Sequence, residues 1–231
     1  MGLDNIRKNY LDLKSKIKAV CQRCGRDENE IKIVAVSKTF PAEYILELYN
    51  AGHKDFGENR VQELIKKKDE VRNTPLNWHL VGHLQTNKVK YISNFVHLIH
   101  SVDSFKLAEE IDKHAKKNDR IIDVLVQVNT SDELQKSGIE PDKTPRLCRE
   151  ISSLENIRLC GLMTLAMLTD NVKIIRENFK TLKNLYNELK DIHPDFKYIS
   201  MGMTSDYEIA IEEGSNMLRI GSAIFGAREY H

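Results

Sequence analysis

Ile31-Lys32-Ile33-Val34-Ala35-Val36-Ser37-Lys38-Thr39 is an apolar run that stops abruptly at a lysine. Its centre, Ile33 to Val36, is short, rich in β-branched residues and followed closely by Phe40-Pro41. That pattern reads as a strand buried on both faces, ending where a helix begins. A lysine at the lip of a hydrophobic core is costly unless its amine is paired, neutralised or made into something else. Buried lysines lose their proton readily, and the neutral amine is a nucleophile for carbonyl compounds. Taken alone, Lys38 has two readings: a Schiff-base lysine, or a side chain that snorkels out at a strand end.

Outward from this strand the pattern repeats. Before it, Ile6, Tyr10, Leu13, Ile17, Val20, Cys21 and Cys24 recur at intervals of three and four, which predicts an amphipathic helix with Asp4 as N-cap and Gly25 as its stop. After it, Pro41 opens a helix closed by Gly52. Strands are expected at Lys54–Gly57, Trp78–Gly82, Val96–Val102, Asp123–Val128, Ile157–Thr164, Lys197–Ser200 and Met217–Gly221. Between them come a charged helix to about Arg72, a short one from Thr86 to about Phe95, and further helices at Ser104–Lys117, Pro141–Leu154, Asn171 to about Ile192 and Asp206–Glu213. Ser131 to Gly138 reads as a loop, and the cluster Lys66 to Lys68 as a solvated helix face.

Eight strands that alternate with helices argue for parallel pairing, right-handed crossovers and closure into a (β/α)₈ TIM barrel. An open doubly wound sheet usually has a glycine-rich first turn, whereas this first turn is Ser37-Lys38-Thr39-Phe40-Pro41. The expected organisation is therefore one α/β domain over residues 1–231, with an extra N-terminal helix packed on the barrel.

The 231 residues suit a fold of that size. Lysine plus arginine (35) nearly balances aspartate plus glutamate (34), so no field of one sign is available to draw in nucleic acid or an anionic membrane. No signal-peptide core follows Met1, and no apolar run approaches the ~20 residues of a membrane span. The expected compartment is the cytoplasm. Cys21-Gln22-Arg23-Cys24 has the spacing of half a metal site or of a redox pair, yet no second pair follows at metal-site spacing. These two are read as packing thiols of one helix face, and no metal site is expected.

In a barrel the C-terminal strand ends meet at one face, where sites are built. Those ends carry Lys38, Glu58 and Asn59, His79 and His83, Ser101 and Asp103, Asn129, Met163 and Thr164, Ser200 and Gly202, and Arg219 with Gly221 and Ser222. The last two loops, Ser200-Met201-Gly202-Met203-Thr204-Ser205-Asp206 and Arg219-Ile220-Gly221-Ser222, combine glycine, hydroxyls and helix starts. Such loops bind phosphate, although small residues are also ordinary in turns. A lysine nucleophile and a phosphate cradle on one face fit an aldolase on a phosphorylated sugar or a pyridoxal 5'-phosphate (PLP) site. Arginine does not give up its proton, so Arg219 near a pyridine nitrogen would hold that nitrogen unprotonated and weaken the ring as an electron sink. Its alternative is an inward charge paired with Glu58 or Asp206.

Six motifs, in order, carry a resemblance: Val34-Ala35-Val36-Ser37-Lys38-Thr39; Phe56-Gly57-Glu58-Asn59; His79-Leu80-Val81-Gly82-His83-Leu84-Gln85-Thr86-Asn87-Lys88; Gly161-Leu162-Met163-Thr164; Ser200-Met201-Gly202-Met203; and Arg219-Ile220-Gly221-Ser222-Ala223-Ile224-Phe225-Gly226. From about residue 3 to its C-terminus the chain resembles the PLP homeostasis protein family, also called the YggS/PROSC family. The resemblance implies a single-domain barrel of PLP fold type III, similar to the N-terminal domain of bacterial alanine racemase. It implies that Lys38 forms the Schiff base with PLP and that Ser200, Gly221 and Ser222 hold the phosphate, with Gly202, Met203 and Thr204 as further contacts. Arg219 would face the pyridine nitrogen, and Met163 and Asn59 would lie near the ring. His79 is a weaker candidate, with packing under the barrel as its alternative. Thr204 stands where serine is common in the family, and Ala166-Met167 where a proline is usual.

Alanine racemase also needs a second, all-β domain that supplies an opposing tyrosine across a dimer, and this sequence runs only to Glu229-Tyr230-His231. A protein that holds and passes on PLP is thus expected, with PLP-dependent apoenzymes as candidate partners, a monomeric state and no efficient catalysis. The rivals are a weak PLP-dependent amino-acid racemase and a cofactor-free Schiff-base aldolase.

Overall fold

Strand β1 runs from Lys32 to Val36, β2 from Asp55 to Glu58, β3 from Asn77 to Leu80 and β4 from Leu98 to Val102. Strand β5 covers Ile122–Gln127, β6 Ile157–Met163, β7 Tyr198–Ser200 and β8 Met217–Ile220. Each pairs in parallel with the next, and β8 closes on β1 with Val34 beside Arg219, so the computed structural model is a closed eight-stranded barrel. It describes residues 3–131 and 137–227. Most of the expected loop Ser131–Gly138, and the terminal Glu229-Tyr230-His231, lie outside the described residues.

Helix α1 (Asp4–Cys24) precedes the barrel and packs against α2 (Ala42–Asn50), α7 (Tyr207–Glu212) and α8 (Ser222–Phe225). It ends at Gly25, whose φ of 66° gives the left-handed turn that glycine adopts without a Cβ clash. Leu3, not Asp4, stands at its N-cap position. Buried Cys21 and half-buried Cys24 lie on this helix as free thiols. The outer layer continues with α3 (Val61–Glu70), α4 (Phe105–Lys117), α5 (Thr144–Ile151) and α6 (Val172–Leu189). The expected helix from Thr86 is a 3₁₀ turn, Thr86–Tyr91, in which only Val89 is buried. One apolar anchor does not sustain an α-helical stripe. Helix α8 was not expected from the sequence; it is one turn long.

Strand side chains alternate between two apolar clusters. The larger fills the layer between strands and helices, with Phe56, Ile99, Val124, Leu162 and Phe179 among its fully buried members. The smaller lies in the lumen and comprises Val34, Val36, Val81, Leu98, Leu125, Cys160, Met163 and Met217. Polar groups enter the same lumen at His79, His100, Ser200 and Arg219, each at most 4% exposed. That polar column leads to the upper mouth, where the strands end.

Candidate functional site

A cavity of about 650 Å³ opens at the C-terminal mouth of the barrel. Its walls include Lys38, Asn59, Gln127, Asn129, Met203, Thr204, Arg219, Gly221 and Ser222, with Val36, Val81, Leu165 and Ala166 as apolar surface. Seven of the ten sequence-derived site residues thus share one space. The other three, Met163, Ser200 and Gly202, are buried and do not line it. His79 lies deeper in the lumen, bonded to His100 and Asp55, and does not reach the cavity wall.

Lys38 sits two residues beyond β1 in a turn and is half-buried. The turn is held from below by a buried polar cluster. Ser37 Oγ donates to Glu58 Oε1 at 2.6 Å, and Lys67 Nζ donates to the same oxygen at 2.7 Å and to the Ser37 carbonyl at 2.6 Å. Lys67 also reaches Glu63 Oε1 at 2.8 Å, and that oxygen accepts the Thr39 N–H at 2.6 Å. Thr39 has φ 71°, a left-handed conformation that a β-branched residue rarely adopts. Glu63 and Lys67 therefore fix the backbone on both sides of Lys38. Burial pushes the Glu58 carboxyl up, against the Lys67 ammonium and its hydrogen bonds, which pull it down.

This corrects the reading of Lys66 to Lys68 as a solvated face. Lys67 is only 4% exposed, because α3 turns Val61, Leu64 and Lys67 toward the barrel. The signal was present in the sequence: position 67 continues the three-residue spacing of Val61 and Leu64.

On the neighbouring strand β8, Arg219 is held by two bonds. Its Nη1 donates to Ser200 Oγ at 2.6 Å, and its Nη2 to the Thr164 carbonyl at 2.7 Å. Among the described residues these are its hydrogen-bond partners, rather than Glu58 or Asp206. Burial lowers its pKa to about 10, with Asp206 opposing the shift, so the guanidinium stays charged at neutral pH. Asp206 instead accepts the Met203 N–H at 2.5 Å and shapes the loop after β7. In that loop Gly202 has φ 97°, and a Cβ there would lie 2.6 Å from Ala210 Cβ. Thr204 Oγ1 accepts the Ala223 N–H at 3.2 Å, tying the β7 loop to the start of α8. Thr204, Gly221 and Ser222 thus form one continuous backbone-and-hydroxyl surface on the cavity wall.

The loop after β6, where Ala166-Met167 departs from the family pattern, is pinned by Asn178. Its side chain accepts the Met167 N–H at 2.9 Å and donates to the Thr130 carbonyl at 2.8 Å. Sequence reasoning missed Asn178 and Lys67, and also His100, which faces Ser200 from β4.

Comparison with known proteins agrees with this geometry. The family model of the alanine racemase N-terminal domain matches residues 3–229. A pyridoxal phosphate homeostasis protein from Aquifex aeolicus is 44% identical over 216 residues, which cover 93% of this chain and 95% of that protein. The crystal structure of an unknown protein from Bifidobacterium adolescentis superposes with a TM-score of 0.91 at 32% identity, covering 96% of this chain and 95% of the other. PipY of Synechococcus elongatus, solved with PLP bound, gives a TM-score of 0.84 at 33% identity over 96% of this chain and 100% of its own. With full-length identity of this order and a matching barrel, the chain belongs to the pyridoxal phosphate homeostasis protein family, a group with the alanine racemase N-terminal fold.

Proposed function

We propose that this protein binds PLP at the upper mouth of its barrel and serves intracellular vitamin B6 homeostasis, with Lys38 as the covalent anchor. The observation that carries the reading is the single cavity shared by Lys38, Arg219 and the Thr204–Gly221–Ser222 wall. Its volume of about 650 Å³ lies within the usual range for small-ligand sites, roughly 300–1,000 Å³. The residues fit the group: an amine for an aldehyde, a permanent cation for a ring nitrogen, and backbone and hydroxyl donors for a phosphate. Bound there, the cofactor would supply an aldehyde conjugated to an electron-withdrawing ring.

In this reading Lys38 projects from a turn that the Glu58–Lys67–Glu63 cluster immobilises. Arg219 donates toward the ring nitrogen and keeps it unprotonated, which suits retention better than carbanion chemistry. Gly221, Ser222 and Thr204 take the phosphate directly. Ser200 orients Arg219, and Gly202 lets the β7 loop approach α7 closely. Asn59 would border the ring, and Met163 lies in the apolar lumen, away from the cavity wall. The proposed role is storage and delivery without efficient turnover, by a monomer in the cytoplasm, with PLP-dependent apoenzymes as recipients. Among the described residues no helix is long and apolar enough to cross a membrane.

The test is spectroscopic. The purified protein is expected to take up PLP with visible absorbance, and borohydride reduction followed by peptide mapping should place the adduct on Lys38. Lys38→Ala should abolish the reducible adduct. A colourless protein, or an adduct on another lysine, would overturn the reading. Rapid interconversion of D- and L-amino acids, lost in Lys38→Ala, would favour a racemase instead.

A further inference from the structure

A chain of hydrogen bonds crosses the barrel lumen from Arg219 to the opposite mouth. Arg219 Nη1 meets Ser200 Oγ at 2.6 Å, and Ser200 Oγ meets His100 Nδ1 at 3.1 Å. His100 Nε2 meets His79 Nδ1 at 2.9 Å, and His79 Nε2 meets Asp55 Oδ1 at 3.1 Å. The two ends set the direction of every bond. Arginine only donates and an ionised carboxylate only accepts. His79 therefore carries its proton on Nε2 and accepts at Nδ1. His100 then donates from Nε2 and accepts at Nδ1, and Ser200 donates its hydroxyl proton to His100 while accepting from Arg219. Each neutral imidazole has one proton, so neither ring can turn its bond around without the other.

The far end has ligands for a cation. Nitrogens of His79 and His97 and a carboxylate oxygen of Asp55 all lie within 4.8 Å of one another. A tetrahedral ion with bonds of about 2.0–2.2 Å needs donors about 3.4 Å apart, so this set must close by up to about 1.4 Å. His97 is exposed, so the cluster is reached from solvent on that side. Asp55 Oδ1 already accepts from His79, from Lys32 at 3.1 Å and from Asn77 at 3.2 Å. An incoming ion would use the other oxygen, and Lys32, whose side chain is 31% exposed, has solvent to turn to. Two imidazoles and one carboxylate suit zinc and its neighbours in the first transition row.

We propose that the N-terminal mouth of the barrel is a divalent transition-metal site formed by Asp55, His79 and His97, and that its occupancy is transmitted through His100 and Ser200 to Arg219. A metal on His79 Nε2 moves that ring's one proton to Nδ1. His100 must then accept at Nε2 and carry its own proton on Nδ1, facing Ser200 Oγ. Ser200 keeps its hydroxyl proton, so each group holds the number of protons it had and none is released. The Ser200 oxygen then accepts from both His100 and Arg219, and its own hydrogen loses its acceptor. Arg219 is held less well, so the ion and the cavity ligand oppose each other. By linkage, each weakens the other's binding by the same factor.

The site itself is independent of the cofactor reading; the transmission rests on it. Co²⁺ titrated into the full-length protein without added PLP should give a visible d–d band with nitrogen and oxygen ligation, and His97→Ala should remove it. Calorimetry with Zn²⁺ should show the same loss. No binding, binding unchanged in His97→Ala, or the near-ultraviolet charge-transfer band of a thiolate from Cys21 or Cys24 would overturn the site. With PLP present, saturating Zn²⁺ should weaken PLP retention about fivefold or more, the lower end of usual coupling factors. His97→Ala should remove that effect. Ser200→Ala should still bind the ion but lose the coupling. Ion binding with unchanged PLP retention in the natural protein would overturn the transmission. Failure to take up PLP at all would sink the cofactor reading and the transmission with it, while the ion titration would still decide the site.

Discussion

Lys38 acquires its setting from residues that do not touch the cavity. Lys67 and Glu58 form an ion pair at 2.7 Å with side chains 5% and 0% exposed. Removing one partner of such a pair leaves a buried charge uncompensated. Glu58 Oε2 already has no hydrogen-bond partner among the described residues, so little is available to absorb the loss. Lys67→Met should therefore cost about 3 kcal/mol or more, read from the shift in a denaturant midpoint. Adding Glu58→Gln should restore much of that loss, since it removes the orphaned charge; a double variant no more stable than the single one would count against the pair. Arg219 gives a second prediction at this scale. Arg219→Glu reverses the charge beside the proposed ring nitrogen and leaves a carboxylate near the Thr164 carbonyl. The cofactor's visible spectrum should shift and its retention fall, and an unchanged spectrum would remove Arg219 from the proposed role. The identity of Lys38 was legible in the sequence because an apolar strand ends on it. Its partners were not: the spacing of Val61, Leu64 and Lys67 turns Lys67 inward, but nothing local says that it meets the turn of Lys38, 29 positions away.

Among the elements, the loops after β7 and β8 matter most. The β7 loop turns at Gly202 with φ 97°, and Asp206 clamps the Met203 N–H three residues on. An alanine at 202 would meet both a strained backbone and the Ala210 methyl at 2.6 Å. Strain of this kind costs on the order of 1–3 kcal/mol, and the contact adds to it. Gly202→Ala should lower thermal stability and PLP retention together, because the Thr204 hydroxyl sits on the same loop. Normal retention in a destabilised variant would show that the loop does not position the cavity wall. The glycines and hydroxyls of these loops could be picked out from the sequence as an anion-binding pattern. That the Ser200 hydroxyl would bond Arg219 and His100 could not, since all three come from different strands. Boundaries moved by one or two residues at most strands, as fraying ends do.

Across the whole molecule, the barrel places its polar column in a lumen lined by valine, leucine, methionine and Cys160. Burial holds the His79 pKa down at about 4, against the opposing pull of Asp55, and lowers that of His100 well below its usual value. In the unfolded chain both would titrate near 6.5. Between those values the unfolded state binds more protons, so stability rises with pH and falls as pH drops from about 6.5 toward 4. For His79 alone a shift of this size is worth about 3 kcal/mol. Thermal unfolding followed across that window should show a steep fall in midpoint, less steep in His79→Gln; a flat profile would mean that the lumen histidines are already charged in the native state. Strand alternation and the eightfold repeat determined the barrel from sequence alone, because side-chain period and crossover handedness are local rules. The same rules put Lys38, Arg219 and the Gly221–Ser222 turn at one mouth. Only closure of the barrel decided that Lys67 would lie under the Lys38 turn, and that Asp55, His79, His100, Ser200 and Arg219 would form one bonded column. Those contacts join side chains from separate strands and helices, and their distances follow from register and closure, which no local stretch of sequence encodes.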